Sequence, residues 1–262
     1  MDKILCIDLG STNIKLYINN AEKDFFEIHP SGRDIDIEVF KKYVYSFLEN
    51  ANIKPKDING ISVAFPGIAT NGKIEKSFVE ILNNTGYEFL SSLTDKLVFI
   101  NDANSALMYA VKQNSNVNSI SALTVGTDIG FSLLYNGEIF TGGNNKAGEY
   151  KYYSLLPNGE FYEPRPLCTG KSILNLLNQG LPLEKALDET AKNLVCLITQ
   201  VHNFYDPELI YLSGGAFRYD GFFELVEKYL KPLSACKIKL SDNSVYAGCL
   251  GAKHYFERYY NI

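Results

Sequence analysis

The sequence has little of the material from which histidine- or cysteine-based sites are built. Its 262 residues include three histidines, and none of them lies near the glycine-rich turns described below. A histidine-based triad or a histidine-rich metal centre is therefore not expected. The five cysteines are scattered and contain no CxxC pair, which argues against a disulfide framework or a cysteine-rich metal site. Cys6 and Cys196 stand in apolar stretches and are predicted to be buried.

Clustered basic charge and long apolar runs are also missing. The net charge is −5, and the basic residues form no cluster longer than Lys41-Lys42, which argues against a nucleic-acid partner. No apolar run approaches the roughly 20 residues that cross a membrane. The strand-like ILCI begins at residue 4 and leaves no room for the apolar region of a signal peptide. We expect a cytoplasmic protein with no membrane partner.

The sequence contains the same strand–turn–strand pattern at two places. Residues 4–20 read ILCIDLGSTNIKLYINN and residues 120–137 read ISALTVGTDIGFSLLYNG. Each is an apolar run, a turn rich in glycine and small polar residues, and a second apolar run. Such a turn exposes backbone N–H groups and can bind a phosphate, although the same residues also form ordinary β-turns. Because two such turns facing each other could hold a triphosphate, ATP is the first ligand to consider.

The order of elements predicts two α/β domains of the ribonuclease H-like kind. Predicted strands follow the first hairpin at 24–29, 60–65 and 97–102, and the second at 208–213 and 237–240. Predicted helices cover 37–51, 86–95, 103–112, 183–205, 220–231 and 246–259. The polar segment 114–119 suits a linker. We therefore predict one domain over 1–115, joined by 247–262, a second over 116–246, and a cleft between them.

Two carboxylates follow predicted strands in the first half. Asp8 stands beside the first turn, where it could hold Mg²⁺ through water, because magnesium gives up its water reluctantly. Asp102 ends another strand and opens a helix. It could be a helix N-cap, or it could accept a proton from an attacking hydroxyl, and its position alone favours neither role.

The second half offers three further motifs. The loop 142–149 is either a solvated loop or a polar platform whose Glu149 binds a polyhydroxylated ligand. The glycine pair Gly214-Gly215 ends a strand and either lets the backbone approach a nucleotide or only turns the chain. Residues 168–172 (CTGKS) resemble the tail of a phosphate loop, but Arg165 stands where its first glycine is required, so a Walker-type site is not predicted.

In this order and spacing, the motifs resemble the ROK family of sugar kinases and sugar-responsive repressors, within the actin/hexokinase-like ATPase superfamily. DLGST at 8–12 is similar to the first phosphate motif D-x-G-G-T, with Ser11 in place of the second glycine, and GTDIG at 126–130 is similar to G-T-G-I-G. Pro66-Gly67 resembles the sugar-side loop, and NDAN at 101–104 resembles the segment that carries the catalytic base. AGE at 147–149 resembles the segment whose glutamate holds sugar hydroxyls.

Besides Ser11, the chain departs from the family pattern in three places. Tyr152 occupies the position of the usual histidine, and residues 154–169 contain Cys168 as their one cysteine, so structural zinc is not expected. Glu163 is the nearest candidate for a second sugar-binding glutamate. Asp128 replaces a glycine of the second phosphate turn, where it either assists the metal or weakens ATP binding by repulsion.

The resemblance implies ATP- and Mg²⁺-dependent phosphorylation of a sugar hydroxyl, of a hexose or an N-acetylhexosamine, by a homodimer. It implies these roles: Asp102 as base; Asn101, Gly67, Glu149 and Glu163 on the sugar; Gly10, Ser11, Thr12, Lys15, Gly126, Thr127, Gly214 and Gly215 on ATP; Asp8 on Mg²⁺ through water. Two alternatives stay open. One is a non-catalytic sugar sensor without a DNA-binding domain, and the other is a kinase of a different small molecule.

Overall fold

The computed structural model describes residues 3–10, 12–19, 23–32, 34–83, 85–145, 147–148, 154–155, 161–162, 167–233, 235–242 and 245–262, with the backbone alone at 154–155 and 161–162. The chain divides into two compact units. Unit 1 comprises 1–112 and 244–262, and unit 2 comprises 113–243.

The strands are β1 (Ile4–Leu9), β2 (Asn13–Asn19), β3 (Asp24–Pro30), β4 (Gly60–Phe65), β5 (Gly67–Thr70), β6 (Lys73–Ser77), β7 (Leu97–Asn101), β8 (Ile120–Val125), β9 (Ile129–Tyr135), β10 (Glu138–Ile139), β11 (Ser154–Leu155), β12 (Phe161–Tyr162), β13 (Leu209–Ser213) and β14 (Ile238–Leu240). The α-helices are α1 (Ile37–Asn50), α2 (Thr85–Leu93), α3 (Asp102–Gln113), α4 (Gly170–Asn178), α5 (Leu183–Tyr205), α6 (Phe222–Leu230) and α7 (Ala247–Tyr260). Within these ranges, no helix combines the length and the apolar character that crossing a membrane requires.

Unit 1 is built on a five-stranded sheet in the order β3-β2-β1-β4-β7. The first three strands form an antiparallel meander, whereas β1, β4 and β7 run parallel. Helices α1 and α2 cover one face, where Phe40, Phe47 and Leu90 pack in the main core. Helix α7 covers the other face through Cys249 and Phe256. Because both faces are covered, β1 is buried along its whole length, which explains its continuous apolar run.

Unit 2 repeats this topology strand for strand. Its sheet has the order β10-β9-β8-β13-β14, again with an antiparallel meander followed by parallel strands. Helix α5 occupies the bounds predicted from the sequence and buries one face, including Leu194 and Ile198. It ends at Asp206, which adopts a left-handed φ of 43° and donates its N–H to His202. The repetition predicted from the two hairpins is confirmed.

The structure differs from the sequence predictions in several local features. The hairpin of β5 and β6 and the helix α4 were not predicted. Cys196 was predicted to be buried but is exposed, because it lies on the face of α5 opposite its core-facing residues. The predicted linker is anchored at one end, since the amides of Asn118 and Ser119 donate to Glu208 Oε1 at 3.0 and 3.1 Å.

Candidate functional site

The predicted residues of the first half gather at one edge of the unit 1 sheet. Strands β1, β4 and β7 are parallel, so their carboxyl ends lie along the same edge, which is where α/β sheets bind ligands. In register, Asp8 pairs with Ala64 and Phe65 pairs with Asn101. The edge therefore carries Asp8, then the Pro66-Gly67 segment, then Asn101 and Asp102.

The turn between β1 and β2 is closed by a backbone hydrogen bond to the first residue of β2 and is held from outside by Ser31. Gly10 donates its N–H to the carbonyl of Asn13 at 3.0 Å. Ser31, which follows β3, donates its hydroxyl to the Gly10 carbonyl at 2.8 Å and its N–H to the Thr12 carbonyl at 2.9 Å. Thr12 is exposed, and Ser11 lies outside the described residues. Ser31 belongs to the candidate site, but no local sequence signal indicates it.

Asp8 is a buried carboxylate with a close cationic partner. Its exposed fraction is 8%, and Lys15 Nζ lies 2.7 Å from Asp8 Oδ2. The first turn of α7 packs against the same carboxylate: a Cβ added to Gly248 would lie 2.4 Å from Oδ2. The family resemblance implies that Lys15 binds ATP, and in the structure Lys15 contacts Asp8. Removing Lys15 would leave the buried carboxylate of Asp8 without its cationic partner, which is destabilising, so Asp8 and Lys15 depend on each other.

A buried thiol lies beside this pair. Cys249 Sγ donates to the carbonyl of Lys15 at 3.3 Å. Burial, followed by the negative charge of Asp8, raises the pKa of the Cys249 thiol well above its usual range. The thiol therefore stays protonated and acts as a packing group and a weak donor, not as a nucleophile.

The two residues at the end of β7 divide their roles. Asn101 caps α3, since its Oδ1 accepts from the amides of Ala103 at 2.9 Å and Asn104 at 3.2 Å. Its Nδ2 donates to the Gly67 carbonyl at 2.8 Å. Asp102 accepts from the Ala103 amide at 2.9 Å through Oδ1, and its side chain is exposed. The sequence left open whether Asp102 is the cap; in the structure the longer-range capping contacts belong to Asn101.

Gly67 is a position where a side chain does not fit. It is buried, and an added Cβ would lie 2.3 Å from the Lys76 carbonyl and 2.4 Å from the Phe65 ring. The hairpin of β5 and β6 causes this crowding, and the Phe78 amide donates to the Pro66 carbonyl at 3.0 Å. The Pro66-Gly67 segment is therefore fixed from both sides, by the hairpin and by Asn101.

In unit 2, the turn between β8 and β9 follows the same plan with different partners. Gly126 donates its N–H to the Asp128 carbonyl at 3.0 Å, and its own carbonyl accepts from Gly170 N–H at 2.8 Å. Asp128 Oδ1 accepts from the Ile129 amide at 2.9 Å. Thr127 and Asp128 are exposed. The carboxylate that replaces the family glycine thus contributes to the turn itself.

Helix α4 and the Gly214-Gly215 pair meet this turn. Gly214 has a φ of +109°, and an added Cβ would lie 2.5 Å from the Val125 carbonyl, so glycine is required there. A Cβ on Gly170 would lie 3.1 Å from the Gly126 carbonyl and 3.7 Å from the Ala216 amide. The segment 168–172, for which no Walker-type site is predicted, begins α4: Thr169 and Ser172 form a capping box at the start of this helix. Their spacing was the available signal.

Comparison with known proteins places the chain in a family. The model of the ROK family matches residues 4–161, which is more than half of the chain. The chain belongs to the ROK family. A β-glucoside kinase of Listeria monocytogenes is 25% identical, with 97% of each chain covered. The crystal structure of a ROK family protein from Streptococcus pneumoniae in complex with sucrose matches with a TM-score of 0.80 at 21% identity, covering 99% of each chain.

A third relative supports the fold class. A ROK family glucokinase from Streptomyces griseus, solved with glucose and AMPPNP, has a TM-score of 0.72 at 12% identity and covers 95% of this chain and 97% of its own. At these identities the solved structures show the fold alone. The predicted fold class, two actin-like α/β domains, is confirmed.

Besides Ser11, three residues to which the ROK resemblance assigns a position or a role fall on undescribed parts of the chain. Glu149, Tyr152 and Glu163 lie outside the described residues. Of the loop that leads to Glu149, residues 142–145 and 147–148 are described, and Gly148 has a φ of +88° and packs against the Phe131 carbonyl, 2.6 Å from an added Cβ. This contact fixes the start of the segment to β9.

Proposed function

We propose that the protein is an ATP-dependent kinase that phosphorylates a hydroxyl of a hexose or an N-acetylhexosamine. The observation that carries this proposal is the edge of the unit 1 sheet. It places an exposed carboxylate, Asp102, on the same edge as a glycine-rich turn and the Asp8–Lys15 pair. The activity in the name of the β-glucoside kinase relative supports the same reaction class. The nucleotide analogue bound to the glucokinase relative supports ATP as the phosphoryl donor.

On the acceptor side, Asp102 would take the proton of the attacking hydroxyl. A carboxylate at the end of a strand is held by the helix that follows, and α3 is anchored by the Asn101 cap. An asparagine amide has two hydrogens, and the bond to Gly67 uses one of them. Asn101 would bind the sugar with the other, while Gly67 would keep the loop close to the ligand. Phosphoryl transfer depends mainly on such positioning and on charge neutralisation.

On the donor side, both turns would bind phosphate oxygens. The N–H groups of Gly10 and Gly126 are engaged within their turns, so these glycines would contribute by leaving room for close approach. Thr12 and Thr127 are exposed on the turns and would supply hydroxyl and backbone donors. Gly214 and Gly215 would allow the backbone of unit 2 to approach the nucleoside.

Asp8 fits a magnesium-binding role. Mg²⁺ is usually held in proteins by one or two carboxylates, together with waters and substrate phosphates, and Asp8 is a carboxylate beside a phosphate-type turn. When bound, the ion would neutralise charge on the phosphates. Lys15, 2.7 Å from Asp8, would hold that carboxylate in place and add positive charge beside the turn.

The test is a panel of hexoses and N-acetylhexosamines, each assayed for ADP release with ATP and Mg²⁺. We expect turnover on at least one sugar and a loss of roughly 10²–10⁴-fold in kcat for Asp102→Asn. Asp95→Asn, a change at another exposed aspartate of unit 1, is the matched control and should leave kcat unchanged.

Each alternative gives a different result in the same panel. Sugar binding without turnover would indicate the non-catalytic sensor. Turnover only on a non-sugar alcohol would indicate a kinase of another small molecule. Full activity in Asp102→Asn would show that the base has been assigned to the wrong residue.

A further inference from the structure

Ser31 reaches the first phosphate turn because of how the meander closes. Strand β3 runs antiparallel to β2, so its last residue, Pro30, lies opposite Asn13 at the far end of the turn. Proline has no N–H and ends the ladder. The chain then passes beside the turn, and Ser31 is the first residue able to donate to it.

Ser31 makes two contacts that act on the turn as a unit. Its hydroxyl donates to the Gly10 carbonyl at 2.8 Å, and its amide donates to the Thr12 carbonyl at 2.9 Å. These two carbonyls flank position 11 on either side. A carbonyl oxygen directed at a phosphate would repel it, so engaging both carbonyls with protein donors favours anion binding by the remaining N–H groups.

In the second turn, too, the carbonyl of the first glycine accepts a hydrogen bond from a later segment, although the donor is different. There the carbonyl of Gly126 accepts from Gly170 N–H at 2.8 Å. In a trans peptide the C=O and the next N–H point in opposite directions, so this bond directs the Thr127 amide away from α4. In both copies, the carbonyl of the first glycine is tied by a donor from a later segment: a serine hydroxyl in one copy and a backbone amide in the other.

We propose that Ser31 is a positioning residue for nucleotide binding: its hydroxyl sets the orientation of the Gly10 peptide and thereby the affinity of the first turn for phosphate. The inference rests on the proposed function, because it assumes that this turn binds the phosphates of ATP. It adds a residue that has no place in any of the glycine motifs and that contacts no reacting atom itself.

The experiment compares Ser31→Ala, Ser31→Thr and Ser62→Ala with the wild-type protein. ADP and AMPPNP binding are measured by calorimetry, KM values for ATP and sugar by ADP release, and stability by thermal unfolding. Ser31→Ala removes the hydroxyl contact and keeps the amide contact with Thr12. We expect its nucleotide Kd and its KM for ATP to rise roughly three- to tenfold, with the KM for sugar unchanged. Ser31→Thr retains a hydroxyl and should restore binding.

Ser62→Ala is the matched control for a structural effect. Ser62 is buried in β4 and donates its hydroxyl to the Ala252 carbonyl at 2.8 Å, so its loss should lower the melting temperature without changing nucleotide affinity. Unchanged nucleotide affinity in Ser31→Ala, with wild-type binding intact, would overturn this inference alone. An equal loss of nucleotide and sugar binding in Ser31→Ala would also overturn it. No nucleotide binding by the wild-type protein would overturn the inference together with the proposed function.

Discussion

Asn101 gives the sharpest test of the structure, because its side chain has two separable tasks. Asn101→Ala removes the cap of α3 and the bond to Gly67. Loss of an N-cap costs about 1 kcal/mol, and leaving the carbonyl of the buried Gly67 without its partner costs about 1–2 kcal/mol more. We therefore expect the free energy of unfolding to fall by roughly 2–3 kcal/mol.

Asn101→Ser separates the two tasks. Serine retains an oxygen that can cap α3 but has no amide to reach Gly67, so it should recover about 1 kcal/mol of the loss. Asn50→Ala is the control, since exposed Asn50 donates to Glu27 Oε1 at 2.8 Å, Glu27 keeps its contact with His29, and the replacement should cost little.

Urea unfolding, followed by circular dichroism, gives the free energy of unfolding of the wild-type protein, Asn101→Ala, Asn101→Ser and Asn50→Ala. Thermal unfolding of the same proteins gives their melting temperatures. At a few degrees per kcal/mol for a chain of this size, the melting temperature of Asn101→Ala should fall by roughly 5–10 °C. A change within about 0.5 kcal/mol would refute the role assigned to Asn101. Equal losses for the alanine and serine variants would show that the cap contributes nothing and that the Gly67 bond carries the whole effect.

Three further results are expected. Gly248→Ala places a Cβ 2.4 Å from Asp8 Oδ2 and should cost about 1–3 kcal/mol of unfolding free energy, whereas Gly143→Ala, with nothing within 4 Å, should be silent in the same urea titration. Gly214→Ala should lower the melting temperature strongly, because its φ is +109° and Val125 blocks the Cβ, while Gly215→Ala, which meets no atom within 4 Å, should not. With a thiol reagent at pH 8, exposed Cys196 should react first; Cys168, whose pKa burial raises to about 12, should react only in urea, and Cys196→Ser should abolish the fast phase.

The elements that the sequence predicted well are those with a strong local pattern. Helix α5 was predicted at its observed bounds because its apolar residues keep to one face over six turns and Asp206-Pro207 ends it. The two hairpins were found because each strand pair is apolar and each turn contains glycine. The same periodicity predicts that Cys196 is exposed, although the apolar residues beside it in sequence suggested that it is buried. It stands between Val195 and Leu197 in sequence, yet the helical period turns it outward.

What the sequence did not predict depends on contacts between distant segments. Ser31 lies 21 residues from Gly10 and has no motif of its own. The assignment of the cap to Asn101 rather than Asp102 was also beyond local reasoning, since both residue types cap helices well. Their order at the strand end decided it: Asn101 is still in β7, where its side chain reaches both Gly67 and the start of α3.

The two copies of the hairpin differ in the charges beside their turns. Asp8 pairs with Lys15 across the first hairpin, and the corresponding cross-strand pair of the second hairpin is Thr124 and Gly130. Thr124 contacts the Ser213 hydroxyl at 3.3 Å instead of a cation. A duplicated turn that bound phosphate in the same way twice would keep the same charges at both positions. Since the backbone plan is kept and the ion pair is not, the Asp8–Lys15 pair distinguishes the first hairpin from the second, whose turn carries the exposed carboxylate of Asp128. Under the proposed kinase function, the first turn would therefore be the one that supplies a cation and a metal-holding carboxylate beside the phosphates.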